Sequence, residues 1–435
     1  MSMIRGHRVS AAVAALPTGT IPVGLGLVVS GLAAYGFQII AFRSLGTESY
    51  AALNGLWVTA FVLAPGLFLP LEQEVARAVA HRHSIGLGSR PLFLKASVVG
   101  AGLVIVTIVV LIAARGVIEA KLLRGSDGLF AALVVALVGF AIMSLARGLL
   151  SGNARFGRYG LVVGTDGAAR VLLAAGLVIV GYGTLGWFGA VFCLAPFVAT
   201  VVGLAGVKRV IEPGPPAPMS ELSTAIGWLL LGSTFAQALS YSAYIGASVT
   251  ADRSQDAELG AFIAGLFIAR IPLLLFQAVQ AALLPKLAGL LGRGQIDEFR
   301  RGLRRLVGLV VGASVMGVVI ALFAGPTIGR ALFGPTFSLS GPSLALLTGG
   351  VCLVVLALTF AQAMIALRRY AITAFAWVAG VVVFVVWMLL GSGDVFARSE
   401  IGFVLAAAVA AAWILLAARR AIRDIRTTSA PVHGR

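Results

Sequence analysis

The sequence predicts an all-α membrane protein, twelve transmembrane helices in two six-helix bundles. Three observations predict it. The first is composition: 60% of the 435 residues are hydrophobic and only 11% are charged, with a mean hydropathy of +1.02. A soluble domain carries about 25% charged residues, so the solvent for most of this surface must be lipid. The second is length: apolar runs of the ~20 residues needed to cross a ~30 Å hydrocarbon core recur twelve times. The third is an internal repeat at a period near 210 residues.

The predicted spans are 19–42, 51–71, 92–114, 128–147, 159–181, 184–206, 223–247, 259–282, 306–324, 341–365, 371–391 and 401–418. The N-terminal MSMIRGHRVSAAVAALPTG imitates a signal peptide, with two arginines before an apolar stretch. That stretch is short and a full-length span follows at once, so it is expected to stay. The fifth and sixth spans are separated by a very short turn and form a tight helical hairpin. Lys and Arg are unevenly shared between alternate loops, 24 on one side and 7 on the other, with two inside spans. Basic loops mark the cytoplasmic side, which places both termini in the cytoplasm of a multi-pass plasma-membrane protein. The same asymmetry accounts for the net charge of +17 without a nucleic-acid partner. Membrane lipid is the expected neighbour of the basic loops.

The repeat shows in Glu48-Ser-Tyr-Ala-Ala-Leu-Asn-Gly-Leu-Trp57 against Glu258-Leu-Gly-Ala-Phe-Ile-Ala-Gly-Leu-Phe267. At an offset of 210, Glu48, Ala51, Gly55 and Leu56 recur as Glu258, Ala261, Gly265 and Leu266, and Trp57 faces Phe267. At 211, Arg158-Tyr159 recurs as Arg369-Tyr370 ahead of the fifth and eleventh spans. Six spans per half give a parallel repeat, a known transporter plan with the substrate site between the halves. The expected division is an N-terminal bundle over 1–206, a Pro-rich cytoplasmic linker over 207–222, and a C-terminal bundle with a basic tail over 223–435.

Several chemistries are excluded. No Walker A sequence is present, so the chain is no ATPase. Gly181-Tyr-Gly-Thr-Leu-Gly186 matches a dinucleotide fingerprint but lies in a turn between spans, where it is a chance match. His7, His81, His83 and His433 show no ligand grouping, and Cys193 and Cys352 sit in apolar runs as packing residues. No metal and no cofactor are expected. Gly160-x-x-x-Gly164 and Gly308-x-x-x-Gly312 permit close helix packing, though 54 glycines make such spacings common. The outer loops are short. The acidic stretch Asp252 to Glu258 reads as a solvated loop, which disfavours a glycosyltransferase or polymerase.

Embedded polar residues are the informative remainder. Asp166 and Arg170 share a helical face in the fifth span, where they can neutralise each other. Arg270, at similar depth in the eighth span, has no such local partner; Gln277 and Gln280 follow it. A charge at mid-depth costs roughly 3 kcal/mol on insertion scales, so it should face a cavity or a partner. Pro272 frees a carbonyl beside Arg270, and Pro65 and Pro70 do the same in the second span, suiting them to hinges of a cavity that opens alternately. Tyr35 and Gln38 in the first span, and Gln237, Tyr241 and Tyr244 in the seventh, suit hydrogen bonding to sugar or phosphate, or ordinary interhelical bonds.

The stretch ARIPLLLFQAVQAALLPKL resembles the eighth span of the MATE/polysaccharide-exporter (MOP) superfamily, through Arg270, Pro272, Leu273, Phe276, Leu284, Pro285 and Leu287. AFRSLGTESYAAL is similar to that superfamily's element after the first span. The resemblance implies a V-shaped molecule around a cationic cavity. It implies, in the Wzx-like branch, a flippase moving a polyprenyl-diphosphate-linked oligosaccharide to the outer leaflet. Arg270 and Arg170 would then meet the diphosphate, joined in the cavity by Asp166, Gln38, Gln237, Tyr241 and Gln277. Arg77, Arg82, Arg155, Arg158, Lys286, Arg368 and Arg369 would form a basic rim at the inner mouth. Coupling is open among proton, sodium and membrane potential. Polysaccharide polymerases or glycosyltransferases are the partners implied, and a monomer is expected. The alternative is an ion-coupled antiporter of small molecules or drugs. It would need an anionic cavity, and Asp166 is the one acid placed within a span.

Overall fold

The computed structural model describes residues 20–207, 210–218, 221–222, 226–274, 276 and 295–428. The first helix, α1 (Thr20–Ser84), is two helices in series. Gly46 interrupts it with φ 72° and ψ 172°, a conformation that glycine adopts without a Cβ penalty. Then follow α2 (Arg90–Ala113), α3 (Asp127–Gly152), α4 (Phe156–Ile179) and α5 (Leu185–Leu204). After the linker come α6 (Ile226–Ser240), α7 (Ser242–Thr250), α8 (Asp256–Ala269), α9 (Ile296–Phe323), α10 (Gly325–Phe333), α11 (Gly341–Ala366), α12 (Tyr370–Leu390) and α13 (Val395–Thr428). Among the described residues ten helices are long and apolar enough to cross a membrane. Two of the twelve expected spans are not separate in that count. α1 is counted once across its Gly46 break, and α6 is short because Tyr241 separates it from α7. The chain is an all-α, multi-spanning membrane protein.

Three helices run past the expected spans. The second arm of α1 continues from 71 to Ser84, α9 begins at Ile296 and α13 runs to Thr428. At 1.5 Å per residue each exceeds the ~30 Å apolar core. Apolar runs locate only the part of a helix that lies in lipid, so the polar extensions were invisible to them.

α1, α3, α4 and α5 pack on one another, and α11 packs on α9 and α13 while α12 packs on α13 and α6. α1 is the main bridge, with its two arms touching α6 and α8. α1 and α4 approach through small residues. A Cβ on Gly160 would stand 2.1 Å from the Pro22 carbonyl oxygen, and one on Gly26 2.3 Å from that of Gly160. Gly160-x-x-x-Gly164 is therefore a packing seam, whereas Gly308 and Gly312 face open space. Gly160→Leu is expected to cost at least the ~1–3 kcal/mol of an overpacked core, and Gly308→Leu to cost nothing measurable. The thermal loss of monodisperse protein in detergent, compared for the two variants, checks this.

The turns before α4 and α12 share one geometry. Arg155 opens α4 at φ −86°, ψ 52° and Arg369 opens α12 at φ −93°, ψ 53°. Arg155 N–H donates to Leu150 O at 2.8 Å and Arg369 N–H to Met364 O at 2.9 Å. The equivalent residues are thus Arg155 and Arg369, three positions from the Arg158-Tyr159/Arg369-Tyr370 match in sequence.

The linker is clipped to the end of α1. Arg82, only 1% exposed, donates to Glu221 at 2.7 and 3.0 Å and to the carbonyls of Gly88, Pro215 and Pro216. Arg90 N–H donates to Glu212 O at 2.9 Å, and Asn153 Nδ2 to Val210 O at 3.2 Å. Hydrogen bonding to Arg82 holds the Glu221 carboxyl below its usual range. A depressed carboxyl contributes stability that is complete above its unfolded pKa of about 4.3 and is lost as pH falls through the folded value. Protease resistance of the linker is therefore expected to persist through mildly acid pH and to fail only at lower pH. In Glu221→Gln that pH dependence should disappear, as proteolysis across a pH series would show.

Candidate central cavity

The linker, the 153–155 turn and the 367–369 turn lie on one face of the molecule, here the linker face. The Gly46 break, the 115–126 turn, residues 251–255 and α10 lie on the far face, because successive long helices run antiparallel. A cavity of about 500 Å3 lies between α1, α3 and α4 on one wall and α6, α8, α11 and α12 on the other. Its lining reaches the linker face at Gln73, Arg147, Ile365 and Tyr370. At the far face the halves are joined. Arg43 donates to the carbonyls of Leu332 and Ala331 at 2.9 and 2.8 Å, and Phe42 meets Phe333 with ring centroids 5.2 Å apart.

Arg270 caps the C-terminus of α8, two residues before Pro272, which cannot supply the N–H that Ile268 O would accept. Its guanidinium lies 3.6 Å from the centroid of the Tyr241 ring. Stacking occupies the face of the fork and leaves its N–H edge for a partner. Among the described residues no acid pairs with it.

Arg170 is differently placed. Its Nη2 donates to Asp166 Oδ1 at 2.7 Å, and its side chain is 3% exposed. Trp57, Phe61, Phe140 and Phe192 surround it with ring centroids 5.0 to 5.6 Å from Cζ. The intrahelical pair expected from the sequence is formed, and an aromatic cage holds it.

The proline-freed carbonyls have partners in the other half. Pro65 leaves Phe61 O free, and Gln237 Nε2 donates to it at 3.1 Å. Pro70 leaves Gly66 O free, and Ser233 Oγ donates to it. From the first half, Tyr35 Oη donates to Phe267 O at 3.0 Å, just before the Arg270 break. Gln237 and Tyr241 line the cavity as expected; Gln38 does not. It lies one turn beyond Tyr35 on the same stripe, where the halves are already packed, and is 1% exposed. Gln277 and Lys286 lie outside the described residues.

Of the expected rim, Arg77 is paired with Glu74 and donates to Glu221 O, and Arg82 is the linker clip. Arg155, Arg368 and Arg369 stand at the turns before α4 and α12 and Arg158 in the first turn of α4, with no ion pair among the described residues. The sequence reading missed one cluster. Arg147 lines the cavity and pairs with Glu72, donating through Nε at 2.9 Å, and Tyr159 Oη donates to Glu72 at 2.8 Å. Glu72 is 4% exposed, so Asp166 is not the only embedded acid. Glu72 and Arg147 each stand at the edge of a predicted span, and their equal depth was the available signal. With Glu72 offsetting Arg147 and Asp166 offsetting Arg170, Arg270 is the unbalanced charge among the described residues of the wall.

No family model matches the chain. It is 26% identical over 369 residues to an uncharacterized protein of Mycobacterium tuberculosis, covering 81% of each chain. A solved structure described as the outward-facing conformation of a multidrug resistance MATE family transporter of the MOP superfamily superposes with a TM-score of 0.69 at 16% identity, over 94% of this chain and 95% of the other. Another, from Pyrococcus furiosus, is described as a MOP superfamily transporter whose binding pocket of reverse polarity suggests a different function. It superposes at 0.66 with 15% identity, over 94% and 95%. The chain therefore has the all-α, V-shaped, multi-spanning fold of the MATE transporters of the MOP superfamily.

Proposed function

We propose that the protein is an alternating-access transporter, not an enzyme, whose cargo is an anionic amphiphile: a polyprenyl-diphosphate-linked oligosaccharide moved from the cytoplasmic to the outer leaflet. The observation that carries this is Arg270, stacked on Tyr241 in the cavity wall with its N–H edge unpaired among the described residues. A guanidinium edge binds diphosphate oxygens in a bidentate way. The diphosphate and first sugars would occupy the cavity, while the prenyl tail stays in lipid between the halves. On this reading the helices form twelve spans, in bundles 1–206 and 223–435 joined by linker 207–222. The 24-to-7 distribution of basic residues puts the linker face and both termini in the cytoplasm. Arg155, Arg158, Arg368 and Arg369 then gather the anionic head at the open mouth. The solved structure described as having a binding pocket of reverse polarity supports this, since that description is of a pocket whose polarity differs on the same fold.

A second reading has its own support. A cavity of about 500 Å3 is the size that drug-like ligands fill, and one solved structure of this fold is described as a multidrug resistance transporter. A small-molecule antiporter would use the same alternation. Trp57, Trp228 and Trp377 line the cavity, so their fluorescence reports binding. A short-chain prenyl-diphosphate sugar should quench it saturably, and a lipophilic organic cation should not. Saturable quenching by the cation alone would establish the second reading.

A further inference from the structure

Three helical stripes leave the cavity toward the far face. On the first arm of α1, Tyr35 is followed one turn on by Gln38. On the second arm, Trp57 is followed by Asn54 and Tyr50. Across the α6–α7 break, Tyr241 is followed by Tyr244 and Ser248. Spacings of three and four keep each series on one helical face. Tyr35, Trp57 and Tyr241 line the cavity. The five residues beyond them, from both halves, are buried at 0 to 2% exposure. Gln38 Oε1, Asn54 Oδ1, Tyr50 Oη, Tyr244 Oη and Ser248 Oγ meet no partner at hydrogen-bond geometry among the described residues. Tyr50 also neighbours Tyr244, and the pairs Tyr50–Asn54 and Tyr244–Ser248 lie close enough for a small shift to join them.

Buried polar groups are ordinarily satisfied. An unsatisfied series that continues the cavity, on the packed side of it, is what a passage looks like when closed. Its outer end is bolted. Arg124, held in a left-handed conformation at φ 51°, stands 3.0 Å from Asp256 as an ion pair without hydrogen-bond geometry, and Arg253 Nη1 donates to Arg124 O at 3.1 Å. Arg124 belongs to the turn after α2 and Asp256 opens α8, so this bolt ties one half to the other.

We infer that Gln38, Asn54, Tyr50, Tyr244 and Ser248 line the release route for the cargo's polar head, a route closed here and wetted when the Arg124–Asp256 bolt parts. The inference rests on the transport reading, but its test needs no cargo. Single cysteines are introduced as Asn54→Cys and Ser248→Cys, with the buried Cys193 and Cys352 replaced by alanine. Membrane-impermeant maleimide is added from the far-face side of full-length protein in proteoliposomes. Labelling should be slow with the bolt intact and several-fold faster when Asp256→Asn is added. Ser392→Cys, exposed in the far-face turn between α12 and α13, should label at one rate in both backgrounds. If Asn54→Cys and Ser248→Cys stay unlabelled with Asp256→Asn present, in protein that remains monodisperse, the route is overturned. Equally fast labelling with the bolt intact overturns it too. Bolt-dependent labelling in a protein that moves no prenyl-diphosphate sugar would leave the route standing and remove the cargo assignment.

Discussion

Arg270→Ala is expected to abolish transport while leaving the amount of membrane-resident protein unchanged. Removing an embedded charge eases insertion by roughly 3 kcal/mol. No acid among the described residues would be stranded, and Tyr241 loses only a stacking partner worth about 0.5–2 kcal/mol. Arg270→Lys should restore part of the activity, since the charge returns without the bidentate fork. The readout is the ratio of flipped prenyl-diphosphate sugar to folded protein. Loss of folded protein in Arg270→Ala would show a structural ion pair instead.

The second large effect is the opposite in kind. Arg170→Ala should lose protein rather than activity per molecule. It leaves Asp166 buried without its cation inside the ring of Trp57, Phe61, Phe140 and Phe192. Breaking a buried pair from one side costs about 3–5 kcal/mol, whereas replacing both partners by apolar residues is often neutral. Asp166→Asn, milder, should reduce folded protein about as much as it reduces transport. The double change Asp166→Leu with Arg170→Leu should recover much of the folded yield lost in Arg170→Ala. Detergent-solubilised yield and thermal stability of the three variants check this. Normal folding of Asp166→Asn with complete loss of ion-driven transport would make Asp166 a coupling site.

The fold was largely legible because lipid imposes a simple rule, that each span must be apolar for about 20 residues. The rule carries no information outside the bilayer, so it missed the polar ends of α1, α9 and α13 and the clip made by Arg82. Within spans, Asp166–Arg170 was legible because both residues lie on one helix. Glu72–Arg147–Tyr159 was not, because its members come from α1, α3 and α4. Pro65 and Pro70 marked freed carbonyls, but their partners Gln237 and Ser233 lie in the other half, beyond any local pattern. Gln38 shows the same limit from the other side. Its polar type within a span put it in the cavity, while the depth at which the helices close decides that it is buried.

On the proposed reading, the charge of the cavity selects an anionic cargo and the Arg270 edge binds it. Both are tested together by purified protein reconstituted in liposomes with a fluorescent short-chain prenyl-diphosphate sugar in one leaflet, assayed for its appearance in the other. Translocation is expected to be competed by unlabelled prenyl-diphosphate sugar, to be unaffected by a lipophilic cation, and to be absent in Arg270→Ala. Translocation of the cation alone, at one rate in wild type and Arg270→Ala, would contradict that reading.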